Sequence, residues 1–530
     1  MLRNTRARGS AGRQRLTNKS AWLGGAAALL AIQTTQAVEL PTAAKPVVKP
    51  VEYVKVCNVF GAGFYYIPGT DTCLKIAGYL RADHVYGAGN QSQYYLSNSS
   101  ARFTRTDTDY YSFRARANLT VDFRTESDYG TIRAYAAIIA QQSQGDSSGT
   151  GVAGILRAFI QFMGFTVGHA VSAYEFLSVG DYTYRPPSVY SGWTGDNGID
   201  ILAHTWTLAN GVTTSISLED GGNANAGTFG TGRGKAVINA SLPAQLGTAN
   251  DGTAVTNDAA RAMQPDVVAN ARIDQAWGSM QVMGALHNAS GAYYANFPGQ
   301  SGAAAGATAG STIFGHPGEA WGWAVGTGVK FTNFLLPKDT FEAQVNYANG
   351  AIGYVLPMSG STSYANDFVY GRGNSVGIGY AVDGVFMNGT GVELTQGWSV
   401  AAAYQHYWNP QWRTAVIGGF AQVNYDSPAR SFLCGNQNTT PAMGVFGAIF
   451  STIPNCNPNF SLMAVSTRTA WNPHPTLEIG VDLIWNRINT AMSGSTVTLA
   501  QQGARPGGLY QVQNQDNYIM MMRFQKNILP

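Results

Sequence analysis

The sequence predicts an all-β chain, a transmembrane antiparallel β-barrel of about sixteen strands, and three observations predict it. Charge is scarce: Asp, Glu, Lys and Arg make up 12% of the 530 residues, against roughly 25% in globular proteins. After Ile32 no apolar run reaches the ~18 residues that a spanning helix needs. From Leu74 onward, apolar and polar residues alternate in successive short stretches separated by Gly, Asn, Asp and Ser clusters, the pattern of strands that cross a membrane. In a bilayer every backbone group must be satisfied without water, so a closed barrel is the spanning structure left once helices are excluded.

The N terminus reads as an export signal. Arg3, Arg6, Arg8, Arg13, Arg15 and Lys19 precede an apolar stretch from Ala21 to Ile32, and Thr35-Gln36-Ala37 supplies small residues for cleavage after Ala37. Residues 1–37 are therefore expected to be a signal peptide. Removing them takes six of the 33 basic residues and none of the 30 acids. The remaining chain carries 27 bases against those 30 acids, a net charge of −3. The basic balance of the whole sequence thus belongs to the leader, and it gives no reason to expect a nucleic-acid partner. Residues 38–73, with Pro41, Pro46 and Pro50, have no period and read as a periplasmic lead-in. Residues 74–530 are the expected barrel, with a first full strand from Leu74 to His84.

The clearest strand is Tyr111 to Arg124. Tyr111, Phe113, Ala115, Ala117, Leu119, Val121 and Phe123 occupy one parity, and Ser112, Arg114, Arg116, Asn118, Thr120, Asp122 and Arg124 the other. A period of two puts the first set toward lipid and the second toward the lumen. The same alternation recurs as Val212, Thr214, Ile216 and Leu218 against Thr213, Ser215, Ser217 and Glu219. It recurs as Phe341, Ala343, Val345 and Tyr347 against Glu342, Gln344 and Asn346, and as Leu477, Ile479, Val481, Leu483 and Trp485 against Glu478, Gly480 and Asp482. Tyr518, Met520, Met522, Phe524 and Ile528 form the apolar face of a closing strand, although the last residue is Pro530 and not an aromatic. Gly/Ala/Ser/Asn-rich segments at 221–234, 241–256 and 291–310 fit the long extracellular connections of such a barrel.

Chemical motifs are few. G-x-S-x-G occurs around Ser147 and around Ser375, but a nucleophile elbow needs a strand before and a helix after. Ser375 leads instead into Val376, Ile378, Tyr380 and Val382, another alternating strand, and Ser147 sits in a Gly/Ser loop. Residues 230–235, Gly-Thr-Gly-Arg-Gly-Lys, lack the spacing of a phosphate loop. The seven histidines, His84, His169, His204 and His406 among them, show no metal-ligand spacing. No metal and no cofactor is expected. The four cysteines fall into two local pairs, Cys57 with Cys73 and Cys434 with Cys456. Export to an oxidising compartment permits disulfides, with free buried thiols as the alternative.

The run Val54-Lys55-Val56-Cys57 and the segment Gly61 to Ile76, with its Tyr66-Ile67-Pro68-Gly69-Thr70-Asp71-Thr72-Cys73 core, resemble the opening of the alphaproteobacterial porin family, as found in rhizobial and Brucella porins. The resemblance extends through Arg157-Ala158-Phe159-Ile160-Gln161-Phe162 to the ending Arg523-Phe524-Gln525-Lys526-Asn527. It implies a 16-stranded homotrimeric general-diffusion channel of the outer membrane, surrounded by lipid and lipopolysaccharide, in which one long loop folds into each barrel as a constriction. A lumen lined by Arg, Asn, Asp, Thr and Ser suits passive passage of small hydrophilic solutes and ions. A substrate-specific channel is the nearer alternative. A barrel enzyme or adhesin is the further one, and an enzyme would need a nucleophile with partners.

The constriction can be placed. By parity Lys75, Arg81, Arg114, Arg116, Arg124, Arg133 and Arg157 point into the lumen against only Asp83 and Asp122. A strand from Ala158 to Thr166 is then followed by a loop from His169 to Gly198, which offers Glu175, Asp181 and Asp196 with Tyr182, Tyr184 and Trp193. Arg81, Arg114, Arg116, Arg133 and Arg157 are expected as the basic wall of the eyelet, and Glu175 and Asp181 as the acids facing it. Opposed charges would set up a transverse field.

Overall fold

Alternating side chains make a strand stable only when its two faces meet different surroundings, and here the two faces meet lipid and lumen. The computed structural model describes residues 55–87, 102–103, 111–143, 152–185, 189, 198–222, 233–241, 255–261, 263–294, 314–356, 366–435, 449–499, 501 and 506–529. The expected leader, Ser147, Trp193, Asp196 and Pro530 lie outside the described residues.

Sixteen antiparallel strands build the wall: β1 (Cys73–Tyr86), β2 (Tyr111–Ser127), β3 (Gly130–Ser143), β4 (Val152–Phe162), β5 (Phe165–Ala170), β6 (Ile199–Thr207), β7 (Val212–Glu219) and β8 (Asp266–Gln275) form one half. The other half is β9 (Gly278–Asn288), β10 (Trp321–Thr332), β11 (Thr340–Asn349), β12 (Gln396–Tyr407), β13 (Trp412–Asn424), β14 (Phe460–His474), β15 (Leu477–Asn489) and β16 (Gln515–Asn527). Each strand pairs with its neighbours in sequence, and β16 closes on β1 through Tyr79↔Asn527 to Tyr86↔Met520. Closure leaves no unpaired edge. A two-residue strand, Tyr65–Tyr66, adds to the start of β1.

The ladder bears out the parity. On β2 Tyr111, Phe113 and Leu119 are exposed on the outside, whereas Ser112, Arg114, Arg116 and Asn118 are buried on the inside. Phe165, Trp206, Trp277, Trp321, Trp323 and Trp412 add exposed aromatic rings to the outer face, where amphipathic rings suit the membrane boundary. Among the described residues no helix is long and apolar enough to cross a membrane.

One end of the barrel has tight turns, such as Asp128–Tyr129, Met163–Gly164 and Ala276–Trp277, and also holds both chain ends of the barrel. The other end has eight longer connections, here L1 to L8, of which L3 is 171–198, L4 220–265, L6 350–395, L7 425–459 and L8 490–514. Long connections face the cell exterior in barrels of this type. Segments of L7, L8, L6 and L1 join in a six-stranded sheet that runs Phe450–Thr452, Thr496–Leu499, Gly508–Val512, Ser375–Ala381, Asn366–Arg372 and Arg102–Phe103. L4 and L6 share a second sheet of three short strands. Phe368, Ile378, Tyr380, Val382 and Val497 are buried in one apolar cluster with Phe460 at the top of β14. The loops therefore form a crown with its own core.

Two local expectations are corrected. The stretch Ala158 to Thr166 is not one strand. Met163 and Gly164 take φ of 49° and 82° and turn the chain back, a primed hairpin geometry that matches strand twist. The loop consequently starts at Val171, and His169 ends up on β5, bonded to Asp200. The strand after Ser375 is the second difference. Ser375–Ala381 is buried on both faces inside the crown and is not part of the wall. The Ser375 hydroxyl donates to the Arg372 carbonyl at 2.9 Å and accepts from Gln515 at 2.9 Å. It holds a turn.

Both cysteine pairs are disulfides, Cys57–Cys73 across 16 residues and Cys434–Cys456 across 22. The first closes the segment before β1 around buried Phe64. The second ties the helix α1 (Ser427–Cys434), capped by the Asp426 side chain, into the crown.

Candidate functional site

The first wall of the lumen is basic, and its residues come from the inward parity of β16 and β1 to β4. Asp83 on β1 receives Arg523 Nε at 2.7 Å and Arg114 Nε at 3.0 Å. Asp122 on β2 receives Arg124 Nη2 at 2.9 Å and Arg133 Nη2 at 3.0 Å. Two carboxylates thus each hold two arginines. Arg81 donates to Gln525 at 2.8 Å, Arg116 to Gln141 at 2.9 Å and Arg157 to the Leu156 carbonyl at 2.8 Å. Lys75 lies over the Phe64 ring. All five arginines expected at the constriction share this wall, and Asp83 and Asp122, which looked outnumbered in the sequence, are the hubs that let like charges pack side by side. A guanidinium bound in this way is held in a fixed plane.

The opposite component is L3. It leaves the wall early because β5 is only six residues long, and it runs along the inner surface from β7 to β15. Glu219 accepts the Ser172 hydroxyl at 2.6 Å and the Ala173 amide at 2.8 Å. Gln344 on β11 accepts the Leu177 amide at 2.8 Å, and Glu342 accepts the Tyr182 hydroxyl at 2.7 Å. Asp482 on β15 accepts the Thr183 hydroxyl and, at 2.6 Å, the Tyr184 amide. The Tyr184 hydroxyl reaches Glu478 at 2.7 Å, while the Arg523 and Arg468 guanidiniums lie 4.5 and 5.2 Å from the centre of its ring. Burial, with the adjacent carboxylates of Glu342 and Glu478, holds the phenols of Tyr182 and Tyr184 well above their usual range. They remain donors at every physiological pH.

The two loop acids expected at the eyelet take no part in these carboxylate anchors. Glu175 is half-buried, with its carbonyl 3.4 Å from Gln281 Nε2. Asp181 is exposed at the end of a single 3₁₀ turn, Val179–Asp181, and its backbone carbonyl accepts from Arg468. The anchoring acids Glu219, Glu342, Glu478 and Asp482 all stand on the polar parity of strands legible in the sequence. No local signal marks them, because their partners lie 47 to 299 residues away.

Among the described residues no group of three or more His, Cys, Asp and Glu side chains could hold a metal ion. What the arrangement offers is a closed polar bore whose section is reduced by an inserted, firmly anchored loop.

A family model described as Porin subfamily matches residues 39–521. The chain belongs to the porin family. It is a β-barrel of the bacterial outer membrane. Porin Omp2b of Brucella suis biovar 1 is 29% identical over 276 residues, which is 49% of this chain and 64% of that relative. Porin Omp2b of Brucella abortus is 31% identical over 227 residues, 40% of this chain and 57% of the relative. The chain thus spans somewhat under two thirds of the length of these curated porins. The outer membrane channel DcaP of Acinetobacter baumannii superposes with a TM-score of 0.52 at 13% identity, covering 87% of this chain and 99% of that one. That likeness concerns the fold.

Proposed function

We propose that this porin is a passive, water-filled channel through which small hydrophilic solutes and ions cross the outer membrane. One observation carries the reading: L3 lies inside the barrel on four wall carboxylates, Glu219, Glu342, Glu478 and Asp482. A barrel packed solid would have no use for a loop held against one wall, whereas a bore of fixed section needs one. The polar inner faces of the sixteen strands supply the hydration that solutes need.

The eyelet in this proposal lies between the basic wall of Arg81, Arg114, Arg116, Arg133 and Arg157 and the loop acids Glu175 and Asp181. Charges held on opposite sides of a narrow, low-dielectric passage orient polar solutes and disfavour apolar ones. The barrel acts as a homotrimer whose apolar walls are buried against one another. A nucleophile plays no part: Ser375, the described serine with an elbow-like motif, uses its hydroxyl to hold a turn.

Liposome swelling tests the reading. Vesicles containing the purified protein should admit neutral sugars at rates that fall with solute size, and equal exclusion of all sugars would contradict it. An unheated detergent gel tests the assembly. A slow species that collapses to the monomer on boiling is expected, and a monomer in both lanes would overturn the trimer.

A further inference from the structure

The side chains that L3 turns toward the wall need somewhere to go, and the wall provides hollows at inward-facing glycines. On β10, Gly328 lies under the Phe176 ring: a methyl group there would meet Phe176 Cγ at 2.5 Å. On β15, a methyl group at Gly480 would meet the Tyr184 hydroxyl first, and then Tyr184 Cε2 and the Thr469 carbonyl of β14, each at 2.8 Å. Gly326 on β10 and Gly419 on β13 are crowded by the wall as well as by L3: a methyl group at Gly326 would meet the Asn346 side chain first and the Tyr174 hydroxyl at 2.9 Å, and one at Gly419 would meet Val189 Cγ1 at 3.0 Å and the Val400 carbonyl at 3.1 Å. At Gly328 all three nearest atoms belong to the Phe176 ring, so a Cβ there would displace the loop, and at Gly480 the nearest atom is the Tyr184 hydroxyl of the loop. None of the four has a positive φ. The backbone dihedrals would accept alanine, and at Gly328 the lack of a side chain is explained by the room L3 requires.

Position in the barrel makes this more than packing. All four glycines lie on the lumen parity of their strands, as shown by exposed Val325 beside Gly326 and exposed Leu483 on the parity opposite Gly480. The loop is trapped between these hollows and open water. Phe176 has the Arg272 guanidinium 5.3 Å from its ring centre, and Tyr184 has Arg523 and Arg468 on its ring. Sideways escape is closed by these groups, which leaves motion toward the pore axis.

We infer that Gly328 and Gly480 are positioning residues that set the bore of the channel by fixing how deeply L3 seats in the wall. This deepens the channel reading and rests on it. Adding one methyl group at either hollow lifts an aromatic ring of L3 into the pore and narrows it without altering a charge, and at Gly328 the three nearest atoms it meets are all of that ring.

The experiment is single-channel recording of the full-length protein with Gly328→Ala, Gly480→Ala, Gly284→Ala and the double variant Phe176→Ala/Gly328→Ala. Gly284 faces outward on β9, where a methyl group would have 3.6 Å of clearance, so it controls for loss of a strand glycine. Gly328→Ala and Gly480→Ala should lower the step conductance by roughly a fifth to a half, as a pore lining moved inward demands. Gly284→Ala should conduct as the parent does, and the double variant should recover at least the parental conductance because the ring that collides is gone. Variants that run as folded barrels on unheated gels yet conduct like the parent would overturn the inference. So would a double variant as impaired as Gly328→Ala alone. A parent that passes no current would instead defeat the channel reading itself.

Discussion

The Tyr184 hydroxyl lies 2.7 Å from the Glu478 carboxylate while the Tyr184 amide lies 2.6 Å from Asp482, so two inward acids of one strand hold one residue of the inserted loop at both of its ends. Tyr184→Phe removes the first bond and leaves Glu478 to Arg413. The lost bond to a charged acceptor is worth about 1.5–3 kcal/mol. Hydrogen exchange of residues 171–185 should accelerate accordingly, with the strands unchanged. Unaltered exchange would show that this bond does not anchor the loop.

The Asp83 carboxylate is fully buried between Arg114 and Arg523. Asp83→Asn leaves two adjacent guanidiniums without their shared anion, which by the cost of breaking buried pairs amounts to about 3–5 kcal/mol. The variant should unfold at clearly lower temperature in detergent. Glu126→Gln, at the exposed end of β2 where Glu126 accepts from the Thr131 hydroxyl, should shift stability by no more than about 0.5 kcal/mol. Equal unfolding temperatures for the two would refute the hub role of Asp83.

How much of this could be read from the chain differs by element. The parity of Tyr111 to Arg124 placed Arg114 and Arg116 in the lumen, because a period of two is a purely local property. The turn at Met163–Gly164 has no local signal, since Phe162-Met163-Gly164-Phe165 reads as continuous apolar strand and Met is an unusual residue at positive φ. Ser375–Ala381 alternates like a wall strand, yet both of its faces are buried by L7 and L8, and burial on two faces is decided by tertiary contacts. Glu342, Glu478 and Asp482 were visible as polar positions, but their bonds to Tyr182, Thr183 and Tyr184 span 160 to 299 residues. Gly480 is legible only as a glycine on the polar parity of its strand, and Gly328 carries no signal of its own.

The Cys57–Cys73 bond closes a 16-residue separation, for which the chain-entropy model gives about 3 kcal/mol. Replacing both cysteines by serine should loosen residues 57–72 while the barrel stays closed. Peptide mapping without reductant should recover the two peptides as one species in the parent, and two free thiols in exported protein would contradict the bond.

Asp258 in L4 titrates unusually. Burial pushes its carboxyl up to about 6, against hydrogen bonds from the Asn239 amide and the Thr256 hydroxyl that pull it down. A raised folded-state value means that the proton stabilises the folded loop. That stability is fully present below the ordinary value of 3.8 and is lost as pH rises through about 6. Exchange of residues 255–260, corrected for the intrinsic rate, should therefore be slower at pH 5 than at pH 7.5. Asp258→Asn should abolish the difference, and a parent that is better protected at pH 7.5 would show the sign to be wrong.

A charged, loop-narrowed bore should conduct ions in steps whose size and selectivity follow its charges. Reversal potential and step conductance in a planar bilayer, recorded at low salt for the parent and for Arg114→Ala/Arg116→Ala, test it most directly because screening is weakest there. The parent should show discrete steps, and the variant larger steps with permeability moved toward cations. Discrete steps whose size and ion preference are the same in both proteins would contradict it.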